Sequence, residues 1–317
     1  MSLRSKSLLV IAMAETIYAT AVAAAGSGAI VTSNASLSPL EGSTISRNLD
    51  RPTFGNDLQL HVGVHCMLQF DVELVGSGTL GEAPAWGLLM KACGVKETVV
   101  EDTSVVYTPQ TDSNESLTLY FNMDGQQHML TGARGSFQMK VESGQIPHLT
   151  FQFTGLYNVP TSTAALNPSG WSKFKIPQPV TFDYTAKVKV HSLDSVFKTF
   201  DFDQGNVVTY FDNPGEQEVK ITDRESKGSV SILAPPISQK NYFSATKANT
   251  VGNLEFAHGT EDETRVVFVS NNVQLLQPTY GNDQDRATLD AQLSFVPTLA
   301  GDDEWELRLE AAEDDDP

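Results

Sequence analysis

The amino-acid sequence predicts a mainly β protein, built from strands, turns and a short helix in a pattern that is duplicated in tandem. Residues 60–74 alternate between apolar and more polar side chains, the pattern of a strand with one buried face. Residues 273–295 repeat in outline the strand, break and strand of residues 137–153. Because identity between the halves is low, coincidence between two β-rich segments is the alternative to duplication.

The composition limits the possible functions. The chain has 317 residues, of which 40% are hydrophobic, enough for two domains with cores of their own. Acidic residues number 39 against 21 basic ones, and the net charge is −18. Nucleic-acid binding depends on clustered Lys and Arg, so this balance argues against a protein that wraps DNA or RNA. It is compatible with a passage through which DNA slides, and equally with solubility alone.

The N-terminal residues allow two interpretations. Arg4 and Lys6 precede the apolar run 8–14, and small residues follow at 21–25, which resembles a secretory signal. Glu15 interrupts that run, whereas the apolar part of a signal is normally uninterrupted. We therefore expect a retained N-terminal arm, with a cleaved signal as the alternative. No apolar run approaches the roughly 20 residues that span a membrane.

The first clear element is the strand over residues 60–74. Every even position from Leu60 to Leu74 is apolar, and at about 3.3 Å per residue the strand would be roughly 46 Å long. Strands of this length are unusual. The strand therefore either bends, with Gly63 as the candidate position, or belongs to an extended sheet.

A short helix is predicted next, between Pro84 and Gly94. Proline suits the first turn of a helix and glycine suits its C-terminal end. The apolar residues between them have the spacing of one helix face that packs on a sheet: Trp86, Leu89, Met90 and Cys93.

Three further strands form a predicted meander over residues 116–123, 128–141 and 147–157, with turns at Asp124-Gly125 and Ser143-Gly144. The prolines and small residues after it are typical of a linker. Alternation then restarts at residues 182–190. The predicted boundaries are a first domain at 1–157 with its N-terminal arm, a linker at 158–180, a second domain at 181–309 and an acidic, disordered tail at 310–317.

No catalytic or metal site is predicted. His61 and His65 lie on one strand face about 13 Å apart, too far for one metal ion to bind both. No nucleophile elbow, phosphate-binding loop or zinc-protease motif occurs. Cys66 and Cys93 are expected to be buried and reduced, although a disulfide between them is possible. We therefore expect neither enzymatic activity nor a cofactor.

Four groups of segments occur in a characteristic order in the first half. They are residues 3–9 with 15–18, residues 39–42 with 47–52, residues 72–78 with 83–87, and residues 132–135 with 143–155. None is a chemical signature, so the order carries the specificity. In this order they resemble the tail tube (major tail) proteins of long-tailed, siphovirus-type bacteriophages. The resemblance covers residues 3–157 and is weaker over 181–309.

The resemblance implies a β-sandwich or barrel-like tail-tube domain with a short flanking helix, duplicated in tandem. Its strands would join those of neighbouring subunits around a hollow, acidic bore. We expect stacked rings of three chains with pseudo-sixfold symmetry, or alternatively of six chains, that form the tail tube and conduct genome DNA into the host. The expected subunit contacts involve the N-terminal arm, ordered by its neighbours, and the residues Arg4, Leu8, Leu9, Arg47 and Arg51. The hairpins closed at Gly144 and Gly281 are expected to line the bore. The acidic residues expected to face it are Glu142, Asp283, Asp285 and Asp290.

The implied partners are other copies of the chain and the tail terminator, tape measure and baseplate proteins. DNA would pass through without specific binding, no membrane would be involved, and the protein would be made in the host cytoplasm and end in the virion tail.

The alternative from another class is a secreted β-sandwich binding or adhesion protein. It would use the signal-like N-terminus, a Cys66–Cys93 bridge and the glycan acceptor patterns at Asn34 and Asn114. Glu15 and the lack of an aromatic cluster in the sequence argue against it.

Overall fold

The computed structural model describes residues 3–112, 115–186, 188–261 and 264–311. Within them the chain is mainly antiparallel β, which confirms the predicted fold class, and eighteen of the twenty strands belong to one continuous hydrogen-bonded sheet. The elements of the first half are β1 (Leu8–Ala14), β2 (Ala29–Ile30), β3 (Ser33–Ser46), β4 (Gln59–Glu73), α1 (Gly87–Lys91), β5 (Val95–Val100), β6 (Ser104–Pro109), β7 (Leu117–Met123), β8 (Gln126–Glu142), β9 (His148–Tyr157) and β10 (Thr161–Ser162).

The described residues of the second half form ten strands and one α-helix. They are β11 (Val188–Val190), β12 (Leu193–Ser195), β13 (Phe197–Asp203), β14 (Asn206–Asn213), β15 (Glu216–Arg224), β16 (Lys227–Leu233), α2 (Tyr242–Lys247), β17 (Val251–His258), β18 (Val266–Asp283), β19 (Arg286–Phe295) and β20 (Glu306–Glu310).

The strand order of the first half recurs in the second. Neighbouring strands in the first half follow the order β1, β7, β8, β9, β4, β3. The second half has β11, β17, β18, β19, β16, β13. In the first half, α1 lies in the chain between β4 and β7. In the second half, α2 lies between β16 and β17, which hold the same places in the strand order. The β5–β6 hairpin and the β14–β15 hairpin are additions peculiar to one half each.

Within the part of the chain that the structure describes, two strand pairings join the halves. The end of β8 pairs with β13, from Gln138 opposite Asp203 to Glu142 opposite Thr199. Near the C-terminus, β20 pairs with β6. The two halves consequently share one hydrophobic core. At its centre the rings of Phe202 and Trp305 lie 5.3 Å apart and the rings of Phe137 and Trp305 lie 5.6 Å apart.

The strong local predictions agree with the structure. Strand β4 has the predicted length, and its even positions from Cys66 to Val72 are buried. Gly63 has a φ of +65°, a left-handed conformation that glycine adopts without steric cost. The helix face is buried as predicted, but α1 is a single turn and ends well before Gly94. Strands β7, β8 and β9 form the expected meander.

The N-terminal run forms strand β1 and pairs along its whole length with β7. Leu9 to Ala12 are buried, so this segment is part of the fold of its own chain rather than a free arm. Glu15 ends the strand, and its carboxylate accepts four hydrogen bonds. The donors are the backbone N–H groups of Ala19 and Gly132 at 2.9 Å each, and the hydroxyls of Ser116 at 2.6 Å and Thr118 at 2.8 Å.

Two predictions of local structure were wrong. The strand expected at 182–190 covers only β11, and Phe182 is fully exposed in a turn. The break expected at Gly281 is part of β18, and the turn lies at Gln284 and Asp285. A Cβ at position 281 would lie 2.5 Å from a carboxylate oxygen of Asp290, which is the end of a flexible side chain that can move aside.

The predicted linker is packed against the first half. Val180 is buried, and the indole N–H of Trp171 donates to the carbonyl of Ile30 at 3.1 Å. Cys66 and Cys93 are both free and buried, so the possible disulfide is absent. Most of the predicted acidic tail, residues 312–317, and the acceptor Asn114 lie outside the described residues. Glu310, which was assigned to that tail, belongs to β20.

Candidate functional site

A polar sheet face crosses both halves of the molecule. The junction of β8 with β13 aligns one residue from each of eight adjacent strands in a single row, and all eight side chains are polar: Ser33, Asp71, Thr150, Gln138, Asp203, Lys227, Ser294 and Gln274. The residues next to them along the strands are buried, as Val72, Phe202 and Leu293 show. We call this outward surface the polar face.

The neighbouring rows on the polar face are also polar. A second row lies two positions further along each strand, and Leu276 is its single apolar member. Its residues are Glu73, His148, Lys140, Asp201, Ser229, Gln292 and Leu276. Glu142, Thr199, Ser231, Asp290 and Thr279 form the next row. Among the row residues named here, six are carboxylates and two are lysines, so the face has net negative charge.

Side chains on the polar face hydrogen-bond to one another. The Thr150 hydroxyl donates to Asp71 at 2.6 Å, and the Gln138 amide donates to Asp203 at 3.3 Å. The Ser229 hydroxyl donates to Asp201 at 3.2 Å. Burial raises the pKa of Asp201 and this hydrogen bond partly offsets the effect. The interactions hold the carboxylates in place within the sheet surface.

Three of the four predicted bore residues lie around one lysine. Lys198 binds Asp283 at 2.7 Å, and its pKa is raised first by that hydrogen bond and charge and further by Glu142 and Asp290. Glu142 and Asp290 belong to the polar face. Asp283 is at the end of β18, and Asp285 is exposed at the β18–β19 turn.

The long β3–β4 hairpin carries an exposed apolar tip. Phe54 is fully exposed, and Ile45, Leu49, Leu58 and Leu60 are each about half exposed or more. We call these five residues the apolar tip.

Arg47 and Arg51 lie in the same segment of the hairpin. Arg47 is exposed, and Arg51 forms an ion pair with Asp57. The two predicted contact arginines are thus brought next to an apolar surface that the sequence did not indicate.

The other predicted contact residues are engaged within their own chain. Arg4 pairs with Asp124 in the β7–β8 turn, with 3.2 Å between a guanidinium nitrogen and a carboxylate oxygen. Hydrogen bonds from Arg4 lower the pKa of Asp124. Leu8 is half-buried and Leu9 is buried. The structure therefore leaves Arg4 accessible at its guanidinium but does not leave Leu9 available to a neighbour.

The β14–β15 hairpin is fixed to the first half by a buried arginine. Arg134 on β8 donates to the Glu218 carboxylate at 2.9 Å and to the Val219 carbonyl at 2.6 Å. Its guanidinium carbon lies 4.7 Å from the ring centre of Tyr18, whose hydroxyl accepts a hydrogen bond from the Val219 N–H at 2.6 Å. This contact orients the hairpin relative to the junction of β8 and β13.

Four acids of the polar face were not among the residues predicted from the sequence, namely Asp71, Glu73, Asp201 and Asp203. The signal was present, because acids alternate with buried apolar residues along both strands. What the sequence could not show is that β8 lies beside β13 and places these acids on one surface.

Two other kinds of feature, a metal site and a membrane-spanning helix, were sought in the described residues. In the described parts of the chain, no group of three or more His, Cys, Asp or Glu side chains is arranged to hold a metal ion. Among the same residues, no helix is long and apolar enough to cross a membrane.

A β-sandwich-like fold with an acidic polar face and an exposed apolar hairpin tip is typical of a structural assembly protein. The family model for phage tail tube proteins matches residues 5–297, and the chain belongs to that family. No curated protein matches the chain. As a member of this family it is a structural component of the phage tail that self-assembles with its own copies and associates with other tail components.

Proposed function

We propose that three chains close a ring of pseudo-sixfold symmetry, that rings stack into the tail tube, and that genome DNA passes through the bore. The observation that carries this proposal is the polar row from Ser33 to Gln274, which runs through both halves without interruption. Each half then occupies one sector, and the repeated strand order supports the view that residues 1–157 and 181–309 are duplicated domains. Head-to-tail contacts that close produce rings of this kind.

The polar face lines the bore in this proposal. Its excess of carboxylates repels DNA phosphates, and its serine, threonine and glutamine side chains present no basic cluster to bind them. Hydrogen bonds such as that from Thr150 to Asp71 keep the acids within the sheet surface. Glu142, Asp283, Asp285 and Asp290 contribute to this charge, with Asp283 partly neutralised by Lys198.

Stacking between rings involves the apolar tip of the β3–β4 hairpin. Burying such a surface against the next ring is favourable in proportion to its apolar area, and a soluble monomer rarely exposes a fully accessible Phe among several half-exposed aliphatic side chains. Arg47 and Arg51 provide polar contacts beside it, and Arg4 provides one at the β7–β8 turn. Strand β1 then supports the ring from within its own chain.

The remaining partners follow from a place in the tail. We propose contacts with the tail terminator at one end of the tube, with the baseplate at the other and with the tape measure inside. The protein is made in the host cytoplasm and incorporated into the virion tail, with no cofactor and no catalytic step.

Electron cryomicroscopy of tubes assembled from the purified chain tests the ring. We expect three chains in each ring, with both halves contributing strands to the inner wall and the polar face directed to the bore. Six chains in a ring, or a second half that lies wholly outside, would contradict the pseudo-sixfold arrangement.

Charge reversal tests the bore. The variant Asp71→Lys with Asp203→Lys should assemble tails that eject DNA more slowly, because basic groups in the wall bind phosphates. The matched control is Glu101→Lys with Asp102→Lys, which changes the same charge in the exposed β5–β6 turn. Equal ejection rates for the two variants would contradict the assignment of the polar face.

Removal of the apolar tip tests stacking. Phe54→Ser should leave folding unchanged and reduce tube length, because the side chain has no contacts to lose within its chain. Leu299→Ser is the control, since Leu299 is equally exposed on a loop of the second half. Tubes of normal length from the Phe54 variant would contradict the stacking role.

A further inference from the structure

The β3–β4 hairpin extends well beyond the sheet to which it belongs. Strand β4 pairs with β9 only from His65 to Glu73. Further out, among the described residues, β3 and β4 pair with each other alone, from Ser43 opposite Val62 onwards. We call residues 43–62 the distal ribbon. It carries the apolar tip, so its direction decides where the tip points.

The distal ribbon joins the sheet through an irregular segment. The register shifts between Ser38 and Glu41 and again between Glu41 and Ser43, and on the opposite strand Gly63 has a φ of +65°. We call residues 39–42 and Gly63 the joint. Irregularities of this kind bend a strand pair, and a two-stranded hairpin without further neighbours is only marginally stable. A fixed direction of the distal ribbon therefore requires a contact from elsewhere in the molecule.

Strand β14 of the second half makes such a contact. The N–H of Gly63 donates to a carboxylate oxygen of Asp212 at 3.2 Å. Beside it the rings of His65 and Tyr210 lie 4.9 Å apart. The His65 ring also hydrogen-bonds to the Gly63 carbonyl, with 2.8 Å between Nδ1 and the oxygen. Strand β14 thus contacts β4 at two points, one in the joint and one next to it.

The β14–β15 hairpin is itself fixed to the body of the first half. The Val219 carbonyl accepts a hydrogen bond from Arg134, and the Val219 N–H donates to the Tyr18 hydroxyl, at 2.6 Å each. Tyr210 lies opposite Val219 in this hairpin, and its hydroxyl accepts from the Gln217 amide at 2.7 Å. A continuous series of contacts therefore leads from the first half through β15 and β14 to the joint.

Gly63 is required for the backbone conformation of the joint. A Cβ at this position would meet no atom within 4 Å, so the glycine is not needed for space. Its left-handed φ is one that glycine adopts without steric cost. The Asp212 carboxylate therefore binds the N–H of the residue at which β4 leaves its regular strand conformation.

We propose that Asp212 and Tyr210 are positioning residues that fix the angle of the distal ribbon at the joint and so hold the apolar tip in the direction needed for stacking. The inference rests on the proposed stacking role of the tip. It gives the β14–β15 hairpin the role of a support within the same chain, present before a second copy binds. A binding element held in its bound direction loses less conformational freedom on association, so the support favours stacking without touching the partner.

Hydrogen exchange of the unassembled chain, measured by NMR, tests the contact. Asp212→Ala should increase the exchange rate of the Gly63 amide roughly tenfold, because the amide loses its acceptor. The amide of Phe70, in the part of β4 that pairs with β9, should be unaffected. Asp212→Asn should restore the protection of Gly63, since its amide oxygen accepts the same hydrogen bond.

Asp223→Ala is the matched control, because it removes one exposed carboxylate from the same hairpin. Equal exchange of the Gly63 amide in Asp212→Ala and in this control would overturn the contact. Should Asp212→Ala fail to fold, the unmodified chain decides, since a Gly63 amide without protection would overturn the contact as well.

Spin labels measure the direction of the distal ribbon. With labels at Thr44→Cys on the ribbon and Glu101→Cys in the β5–β6 turn, the distance distribution should be broader in Asp212→Ala than in Asp212→Asn or the otherwise unmodified chain. The native Cys66 and Cys93 are buried, and burial raises the pKa of the Cys66 thiol to about 11, so they should not be labelled. Distributions of equal width in all three chains would overturn the positioning role.

Tube assembly separates this inference from the proposed function. Asp212→Ala should form shorter tubes than Asp212→Asn, at equal urea midpoints of the unassembled chains. Tubes of equal length, together with a broader distance distribution in Asp212→Ala, would refute the link between the support and stacking, whereas the role of the tip itself is tested by Phe54→Ser. Absence of tubes from the unmodified chain would instead refute the proposed function, and with it the stacking role on which this inference rests.

Discussion

Replacement of Glu15 provides a sensitive test of how the N-terminal strand is held in the fold. Its two carboxylate oxygens each accept one backbone N–H and one hydroxyl. In Glu15→Gln the amide nitrogen replaces one of these oxygens. The hydroxyl on that side can rotate and accept, but the N–H of Ala19 or Gly132 loses its acceptor and faces another donor.

The expected loss is about 1–2 kcal/mol for Glu15→Gln, because a buried donor without a partner costs about 1–3 kcal/mol and this site is only partly buried. Glu15→Ala removes all four acceptors and should cost roughly 2–4 kcal/mol, since hydrogen bonds to charged groups contribute about 1.5–3 kcal/mol each and are not additive. Each 1.4 kcal/mol is about a tenfold change in the unfolding equilibrium constant.

Urea unfolding of the unassembled chain, followed by tryptophan fluorescence, measures these losses, because Trp86 and Trp305 are buried. Glu101→Gln is the matched control and should leave the unfolding midpoint unchanged, since Glu101 lies in an exposed turn. A Glu15→Gln midpoint equal to that of this control would refute the role assigned to the four hydrogen bonds.

Three further perturbations test other parts of the fold. Burial lowers the pKa of His191 and His258 below the ordinary 6.5. As the pH falls below about 6.5, these histidines therefore bind protons in the unfolded chain before they do so in the folded one. The folded state becomes less stable, and the urea midpoint should decrease between about pH 7 and 5. A urea midpoint that does not change with pH, or one that changes equally with pH in His258→Gln, would contradict the assignment of this effect to the buried histidines. Phe202→Ala should cost roughly 3–5 kcal/mol in the same assay, because its buried ring leaves a cavity at the shared core, and a loss below about 1 kcal/mol would show that the halves do not share that core. Arg134→Met should cost about 2–3 kcal/mol, because the Val219 carbonyl loses the donor it has from Arg134 and the Glu218 carboxylate is left with Lys220. Lys140→Met, at an exposed ion pair, should stay within about 0.5 kcal/mol; equal effects would contradict a structural role for the buried pair.

The sequence predicts the local structure well wherever one face of an element is buried. Strand β4 and the meander of β7, β8 and β9 were recognisable because burial of one face imposes a period of two on the side chains. The single-turn helix was recognisable for the same reason, through Trp86, Leu89 and Met90. Gly281 was misread as a turn because a glycine within a strand and a glycine required by a turn have the same appearance in a sequence.

The candidate site was predicted only in part, because it depends on pairing between distant strands. Asp201 and Lys140 lie opposite each other although they are far apart in the chain, and no local pattern records such a partner. The acids Glu142 and Asp290 were found from their hairpins alone. The apolar tip was missed because exposure of Phe54 or Leu49 is a property of the folded hairpin and not of residue type.

The pairing of β8 with β13 has a consequence for how quickly and how accurately an assembly can form. A contact between two modules on one chain forms without a diffusional encounter, at an effective concentration that is on the order of millimolar for short connections. In a ring of three chains, half of the six junctions between sectors are then complete before any two chains meet. The two halves are also free to differ in sequence, so the β14–β15 hairpin can remain held by Arg134 while the β3–β4 hairpin keeps its apolar tip exposed.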